Sequence, residues 1–335
     1  MGHFVEGVWH EDTPENRNER GRFMRTPSRY RNWITPDGSA GPSGEGGFAA
    51  ASGRYHLYVS HSCPWAYRTT LFRKLKKLEG AISIAIAAPL YGERSWRFAE
   101  EPGCVPDTVN GIKELWEVYL LANPRYTGRV TVPTLWDKER RTIVNNESSE
   151  IIRMLNSAFA AYTEDKTDYY PGALRAEIDR INDLVYATVN NGVYRCGFAT
   201  TQDAYEEACR ALFATLEQLE QRLSRQRYLA GEQITEADWR AFSTLVRFDP
   251  VYHYHFKCNL KKIAEYPNLS NYVRDLYQQP GVAETLNFDH IKRHYYGSQK
   301  RVNPTGIVPL GPPFDYAGPH DRARFGGRGA GLTGS

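Results

Sequence analysis

The sequence predicts a two-part chain, with a mixed α/β domain over residues 54–160 and an all-helical domain over residues 170–296. Three observations carry this. In the first region, short β-prone runs alternate with helically spaced apolar residues. In the second, apolar residues recur at a 3.6-residue period. Outside both, residues 1–53 are rich in Arg, Asn, Gly and Pro and residues 297–335 end in a Gly/Arg-rich run, so they read as an irregular arm and an extension with a mobile tail. At 335 residues the chain is long enough for one large domain or two ordinary ones, since a single core stops growing near ~250–300 residues.

Each element follows from local pattern. Pro36-Asp37-Gly38 marks a turn in the arm. Tyr55-His56-Leu57-Tyr58-Val59 is β-prone and is followed by a breaker at Pro64. Ala66 to Leu78 sets Leu71, Phe72, Leu75 and Leu78 at helical spacing. Ile82 to Ala87 is a second strand, apolar enough to lie centrally in a sheet. A β-α-β unit of this length implies a parallel pair with a right-handed crossover. Residues 89–129 show little regularity. Val130 to Trp136 then reads as a strand entered through Pro133, Thr142-Ile143-Val144 as its hairpin partner, and Glu147 to Asn156 as a helix burying Ile151, Ile152 and Leu155. This order is thioredoxin-like. In the second half, Leu174, Ile178, Ile181 and Val185 mark one helix, and Tyr205, Ala208, Leu212, Leu216, Leu219 and Leu223 another. At Ile234 to Trp239 a further helix starts, with Thr235 placed to cap and Asp238 to reach back.

Composition narrows the function. The 42 Lys+Arg nearly balance 39 Asp+Glu, for a formal net charge of +3, which is not the basic footprint of a nucleic-acid binder. No apolar run reaches the ~20 residues of a membrane span, and the N-terminus lacks the apolar core of a secretory signal, so a cytoplasmic protein is expected. The five cysteines are odd in number and none forms C-x-x-C, which indicates neither a disulfide framework nor a zinc ribbon. The 22 tyrosines suggest pockets or interfaces lined by rings carrying hydroxyl donors.

Ser60-His61-Ser62-Cys63-Pro64-Trp65-Ala66 is the most informative segment. It sets a cysteine between a strand and a helix, with proline where its missing N–H costs nothing. Unpaired N–H groups and the positive helix end favour the thiolate there. Ala66 stands where a dithiol motif would place its second cysteine, so the chemistry would be monothiol, with an external thiol resolving the mixed disulfide. A buried structural cysteine is the plainer alternative. Val132-Pro133 stands where thioredoxin-like folds usually carry a cis proline that opens backbone groups to an extended peptide, and Glu147-Ser148 sits at a helix start able to receive a carboxylate. Together the three signals point to glutathione.

The capped helix, Gly53 to Val59 before Cys63-Pro64-Trp65-Ala66, His294-Tyr295-Tyr296-Gly297, and Asn303-Pro304-Thr305-Gly306-Ile307-Val308-Pro309 resemble the xi class of glutathione transferases, the glutathionyl-hydroquinone reductases. The resemblance runs from about residue 20 to 312. It implies an α/β thioredoxin-like domain followed by an all-α glutathione-transferase domain, glutathione as cosubstrate with no permanently bound cofactor, glutathionylated quinones or hydroquinones as partners, and a homodimer built largely through the helical domain. It also implies that Cys63 is the nucleophile, with Tyr194, Tyr252 and Tyr295 as catalytic tyrosines. Trp96, Arg129, Val130, Thr131, Val132, Glu147 and Ser148 would hold glutathione. Arg129 would pair with the glycyl carboxylate, Val132 with the cysteinyl backbone, and Glu147 and Ser148 with the γ-glutamyl group. Where the family commonly has His-Arg, this chain has Tyr67-Arg68, at a position expected on the helix behind the thiol.

Other readings stay open at this level. An omega-like thiol transferase or dehydroascorbate reductase would share the motif, and a non-catalytic binder of hydrophobic ligands would share the aromatic content. His253, His255 and Cys258 lack a fourth ligand at convincing spacing, so no metal is expected. Cys104, Cys196, Cys209 and Cys258 lack the strand-to-helix setting and read as inert thiols.

Overall fold

The computed structural model describes residues 2–11 and 17–326. It divides into two compact units. The first contains Thr26–Lys166, Thr285–His294 and the N-terminal hairpin; the second contains arm residues 17–25, Thr167–Glu284 and the chain from Tyr295 onward.

In the first unit a four-stranded sheet is built from β3 (Tyr55–Val59), β4 (Ile82–Ile86), β5 (Thr134–Asp137) and β6 (Thr142–Asn145), in the order β4-β3-β5-β6. The strand expected centrally, β4, thus lies at an edge, where Ile86 exchanges backbone hydrogen bonds with Val105. β3 and β4 run parallel, with Tyr55 opposite Ile82, while β5 pairs antiparallel with both β3 and β6. Helices α1 (Pro64–Leu75) and α3 (Ser148–Ser157) bury Leu71, Phe72, Ile151 and Ile152. α1 stops short of the expected Leu78 because Lys77 turns to a positive φ of 50°. β5 starts at Thr134, so Val130 to Pro133 approach the sheet without joining it.

Two segments expected to be irregular contain regular structure. The arm begins with a hairpin, β1 (His3–Val5) and β2 (Val8–His10), turned by Glu6 and Gly7, both at positive φ. That is the two-residue turn whose twist suits antiparallel strands, and a glycine at its second position makes it accessible. Phe4 exchanges backbone hydrogen bonds of 2.9 Å with Gly128. The 89–129 stretch holds α2 (Trp116–Ala122), and its loops are organised by carboxylates that leave no periodic trace. Glu114 accepts the N–H groups of Glu93, Arg94 and Ser95, and Asp107 those of Val109, Asn110 and Ile112. Further along the arm, Asn32 N–H donates to Val144 O at 3.0 Å and Asn146 N–H to Tyr30 O at 3.1 Å. The arm thus covers the edge strand β6, whose backbone groups would otherwise be exposed.

The second unit is helical: α4 (Arg175–Val185), α5 (Gly192–Gly197), α6 (Gln202–Leu223), α7 (Glu236–Leu245), the short α8 (His253–His255) and α9 (Pro267–Tyr277). π-helical turns at Tyr186–Asn190 and Phe248–Tyr252 lead into α5 and α8. Asp238 Oδ2 accepts from both the N–H and the hydroxyl of Thr235, and its Oδ1 from Leu229 N–H and Tyr272 Oη. The predicted reach-back is therefore one arm of a buried four-bond carboxylate. α10 (Phe288–Ser298) contributes to the first unit up to His294 and to the second from Tyr295.

The tail expected to be mobile is anchored at two points before residue 326. Tyr316 Oη donates to Val246 O at 3.0 Å, and the buried Arg322 donates to the carbonyl of Leu223, the last residue of α6, and to those of Gln226 and Arg227 beyond it. A guanidinium satisfying three carbonyls at a helix end holds the segment down. The rest of that tail, 327–335, lies outside the described residues.

Candidate active site

Cys63 is the N-cap of α1, in extended conformation (φ −83°, ψ 120°), with Pro64 in the first turn. The helix starts here because proline favours the N1 position and Cys63 O already accepts from Tyr67 N–H at 2.9 Å. The half-buried Sγ lies 3.6 Å from Val132 O, just before the cis Val132–Pro133 peptide bond. A thiol can donate to that carbonyl. A thiolate cannot, and its partners become the N–H groups opening α1.

Glu147 caps α3. Its Oε1 accepts from Ser149 N–H (3.1 Å) and Ser149 Oγ (2.9 Å), and its Oε2 from Ser28 Oγ (3.0 Å). Burial pushes this carboxyl up, yet the Ser149 and Ser28 bonds and the charge of Arg68 outweigh burial and hold it below the ordinary range. Ser148 is buried beside it, and the buried Arg68 donates to Ser148 Oγ at 3.4 Å with its guanidinium 4.7 Å from the Trp65 ring centre. Arg68 therefore ties the helix behind the thiol to the α3 N-terminus.

Backbone from Arg129 to Val132 is held by tyrosines. Tyr126 Oη donates to Arg129 O at 2.7 Å. Tyr119, from α2, donates to Thr131 O at 2.9 Å and accepts from Thr131 N–H and Asn146 Nδ2. Val130 and Val132 are buried. Trp96 stacks on His294 with centroids 4.7 Å apart, and Tyr91 meets both rings edge-on at 4.8 Å. His294 Nδ1 lies 2.7 Å from Pro89 O, which defines it as the protonated nitrogen donating to that carbonyl. Burial and the negative charge of Cys63 push the Tyr91 phenol up, and Arg129 pulls it back, which sets Tyr91 within electrostatic reach of both.

In the helical unit the three tyrosines expected from sequence form one chain of hydroxyls. Tyr194 Oη lies 2.6 Å from Tyr295 Oη, which lies 2.9 Å from Tyr252 Oη. Their exposures are 8%, 1% and 0%, so water does not compete at the centre of the chain. Burial and the two neighbouring phenols push Tyr295 far up, keeping its phenol neutral. Tyr194 also faces Arg25, whose guanidinium carbon is 5.0 Å from the ring centre.

The first unit thus sets Cys63 against Val132 and also holds Glu147, Ser148, Trp96 and Arg129, and the second brings together Tyr194, Tyr252 and Tyr295. Sequence reasoning missed Ser28, Arg25, Arg68, Tyr91, Tyr119 and His294 as neighbours of these groups. Two of them carried a local signal, His294 by its place beside Tyr295 and Arg68 by its place in the Tyr67-Arg68 pair after the Cys63 motif. Of the other cysteines, Cys196, Cys209 and Cys258 are buried, and Cys104 is pushed up by burial and by Glu101. His255 is paired with Gln299 at 3.0 Å.

The family model of the glutathione S-transferase N-terminal domain matches residues 62–158, and that of the C-terminal domain matches residues 202–275. Glutathionyl-hydroquinone reductase YqjG of Escherichia coli K12 is 53% identical over 328 residues, 97% of this chain and 100% of that protein. Glutathionyl-hydroquinone reductase PcpF of Sphingobium chlorophenolicum is 52% identical over 312 residues, covering 93% and 96%. The glutathione-bound structure of YqjG superposes with a TM-score of 0.89 at 52% identity, over 96% of this chain and 99% of that one. A xi class transferase from Natrialba magadii does so at 0.90 and 46%, over 98% of each. With a sheet of thioredoxin-like order, a helical second unit and relatives alike over nearly their whole length, this chain belongs to the glutathione S-transferase family, within its xi class of glutathionyl-hydroquinone reductases.

Proposed function

We propose that the protein reduces glutathionyl-hydroquinones to hydroquinones with glutathione as cosubstrate, through a mixed disulfide on Cys63. The observation that carries the reading is a lone thiol at the N-cap of α1, beside the Val132 carbonyl, with Ala66 where a resolving cysteine would stand. Residues 54–160 hold glutathione, through Trp96, Arg129 to Val132, Glu147 and Ser148. Residues 170–296, with Tyr295, supply the tyrosines. The Cys63 thiolate attacks the glutathionyl sulfur, a sulfur–sulfur bond forms and the aryl carbon–sulfur bond breaks. The departing aryl carbon takes a proton from Tyr194, giving the hydroquinone. A second glutathione thiolate attacks the mixed disulfide, releasing glutathione disulfide and restoring Cys63. Solvent returns the proton to Tyr194. By the same family resemblance the protein works as a cytoplasmic homodimer. Among the described residues no helix is long and apolar enough to cross a membrane.

Mass spectrometry after incubation with one equivalent of a glutathionyl-hydroquinone tests this. One glutathione on Cys63, with free hydroquinone in solution, is expected. An unmodified Cys63 with the substrate consumed would overturn the assignment, and activity confined to mixed disulfides would favour an omega-like transferase.

A further inference from the structure

The N-terminal arm divides at residue 25 between the two units, and on each side of that division it touches a group assigned to the reaction. Within the helical unit, residues 20–25 are stitched to the α5–α6 junction: Thr201 Oγ1 donates to Arg20 O, and Arg22 makes a two-pronged pair with Glu207. Arg25 ends this segment. Its Nε donates to Asn191 Oδ1 at 2.9 Å, which sets the guanidinium over the Tyr194 ring at 5.0 Å. Within the α/β unit, Ser28 begins the stretch that runs along β6. Its hydroxyl lies 3.0 Å from Glu147 Oε2 and 3.2 Å from Asn146 O. The other carboxylate oxygen is served by Ser149, so Ser28 adds the donor that faces Oε2.

We propose that Arg25 and Ser28 are positioning residues of the reaction, Arg25 acting through Tyr194 and Ser28 through Glu147. The proposal rests on the function proposed above. As Tyr194 gives up its proton, negative charge grows on a ring already facing a cation, so Arg25 favours the transfer without touching substrate. No such charge develops when a thiolate leaves. Ser28 holds the carboxylate assigned to the γ-glutamyl group, so it governs glutathione binding and is indifferent to which bond breaks.

The two roles make opposite kinetic signatures, which a general structural role of the arm does not. Full-length Arg25→Gln and Ser28→Ala are compared with wild type on a glutathionyl-hydroquinone and on the mixed disulfide of glutathione with 2-mercaptoethanol. Arg25→Gln should lower kcat on the hydroquinone substrate by about 3- to 30-fold, the rate equivalent of a cation–π contact, and leave the mixed disulfide within twofold. Arg25→Lys, which keeps the charge, should recover most of that loss. In a Tyr194→Phe background Arg25→Gln should cost nothing further. Ser28→Ala should raise KM for glutathione by about 10-fold with both substrates and spare kcat, and Ser28→Thr should restore it.

Equal losses on both substrates for Arg25→Gln, or an undiminished loss in the Tyr194→Phe background, would overturn the role of Arg25. An unchanged KM in Ser28→Ala would overturn that of Ser28. If Arg25→Gln fails to fold, Arg25→Lys decides by whether any loss it shows is confined to the hydroquinone substrate; if Ser28→Ala fails to fold, Ser28→Thr decides by whether KM for glutathione stays at the wild-type value with both substrates. A wild-type protein inactive on glutathionyl-hydroquinones would instead refute the proposed function, so the two failures are distinguishable.

Discussion

Replacing Tyr194 by phenylalanine removes a single oxygen from the tyrosine chain, and the structure sets how much should be lost. Three hydroxyls share two internal hydrogen bonds, of 2.6 and 2.9 Å. When Tyr252 donates to Tyr295 and Tyr295 to Tyr194, the third hydrogen is directed outward from Tyr194. On releasing it, the Tyr194 phenolate already accepts from Tyr295, so no dipole has to reorient during the reaction. General-acid help of this kind is worth about 10²–10⁴ in rate, or roughly 3–5 kcal/mol of barrier. The cost to folding is smaller. Tyr295 keeps Tyr252 as partner, so one neutral hydrogen bond is lost, about 1 kcal/mol. The assay is single-turnover reduction of a glutathionyl-hydroquinone beside that of a small glutathione mixed disulfide. Cleaving the mixed disulfide expels a thiolate of pKa near ~8.5, which leaves without an acid. Tyr194→Phe should therefore lose about 10²–10⁴ on the first substrate and much less on the second. Equal losses on both would remove Tyr194 as proton donor and leave it a packing residue.

Cys63→Ser should abolish turnover while binding glutathione as wild type does by calorimetry, and iodoacetamide titration of the wild-type thiol should give a pKa below the ~8.5 of free cysteine; residual reductase activity, or an unshifted thiol, would contradict the nucleophile assignment. Removing residues 327–335 should leave activity and melting temperature unchanged, whereas Arg322→Ala removes the donor to one buried and two partly buried carbonyls and should cost about 1–3 kcal/mol in urea unfolding. Burial pushes both His56 and His255 down to about 4 from an ordinary 6.5. The unfolded chain takes up these protons first, so the contribution these two histidines make is complete above pH ~6.5, declines between 6.5 and 4, and is gone below 4, with His56 accounting for about 3 kcal/mol of it. His56→Gln should make the fall in urea midpoint between pH 7 and pH 4.5 shallower, and an unchanged slope would contradict this.

Local chemistry made the architecture legible. The runs Tyr55–Val59 and Ile82–Ile86 alternate with a helical period, and a parallel pair joined by one helix has only one common hand. Cys63 could be placed at a helix N-cap because proline beside it permits little else, and Asp238 could be placed at a helix start because capping acts over three residues. Such signals span a few residues, so a linear sequence displays them. The β1–β2 hairpin, α2 and the anchored tail did not show themselves, for each is held by partners distant in the chain: Phe4 by Gly128, Thr131 by Tyr119, Arg322 by the carbonyls at and beyond the end of α6. Ser28 and Arg25 are the sharpest case. A serine and an arginine in an irregular arm carry no periodicity, and their neighbours Glu147 and Tyr194 lie more than a hundred residues away. Composition, the order of elements along the chain and the thiol at the helix start were set by the sequence alone, whereas the strand Ile82–Ile86, apolar enough to suggest a central place, took an edge of the sheet. Which polar groups meet the carboxylate and the phenol was decided only when the chain folded, because a hydrogen bond or a cation–π contact depends on ångström-scale distance and not on spacing along the chain.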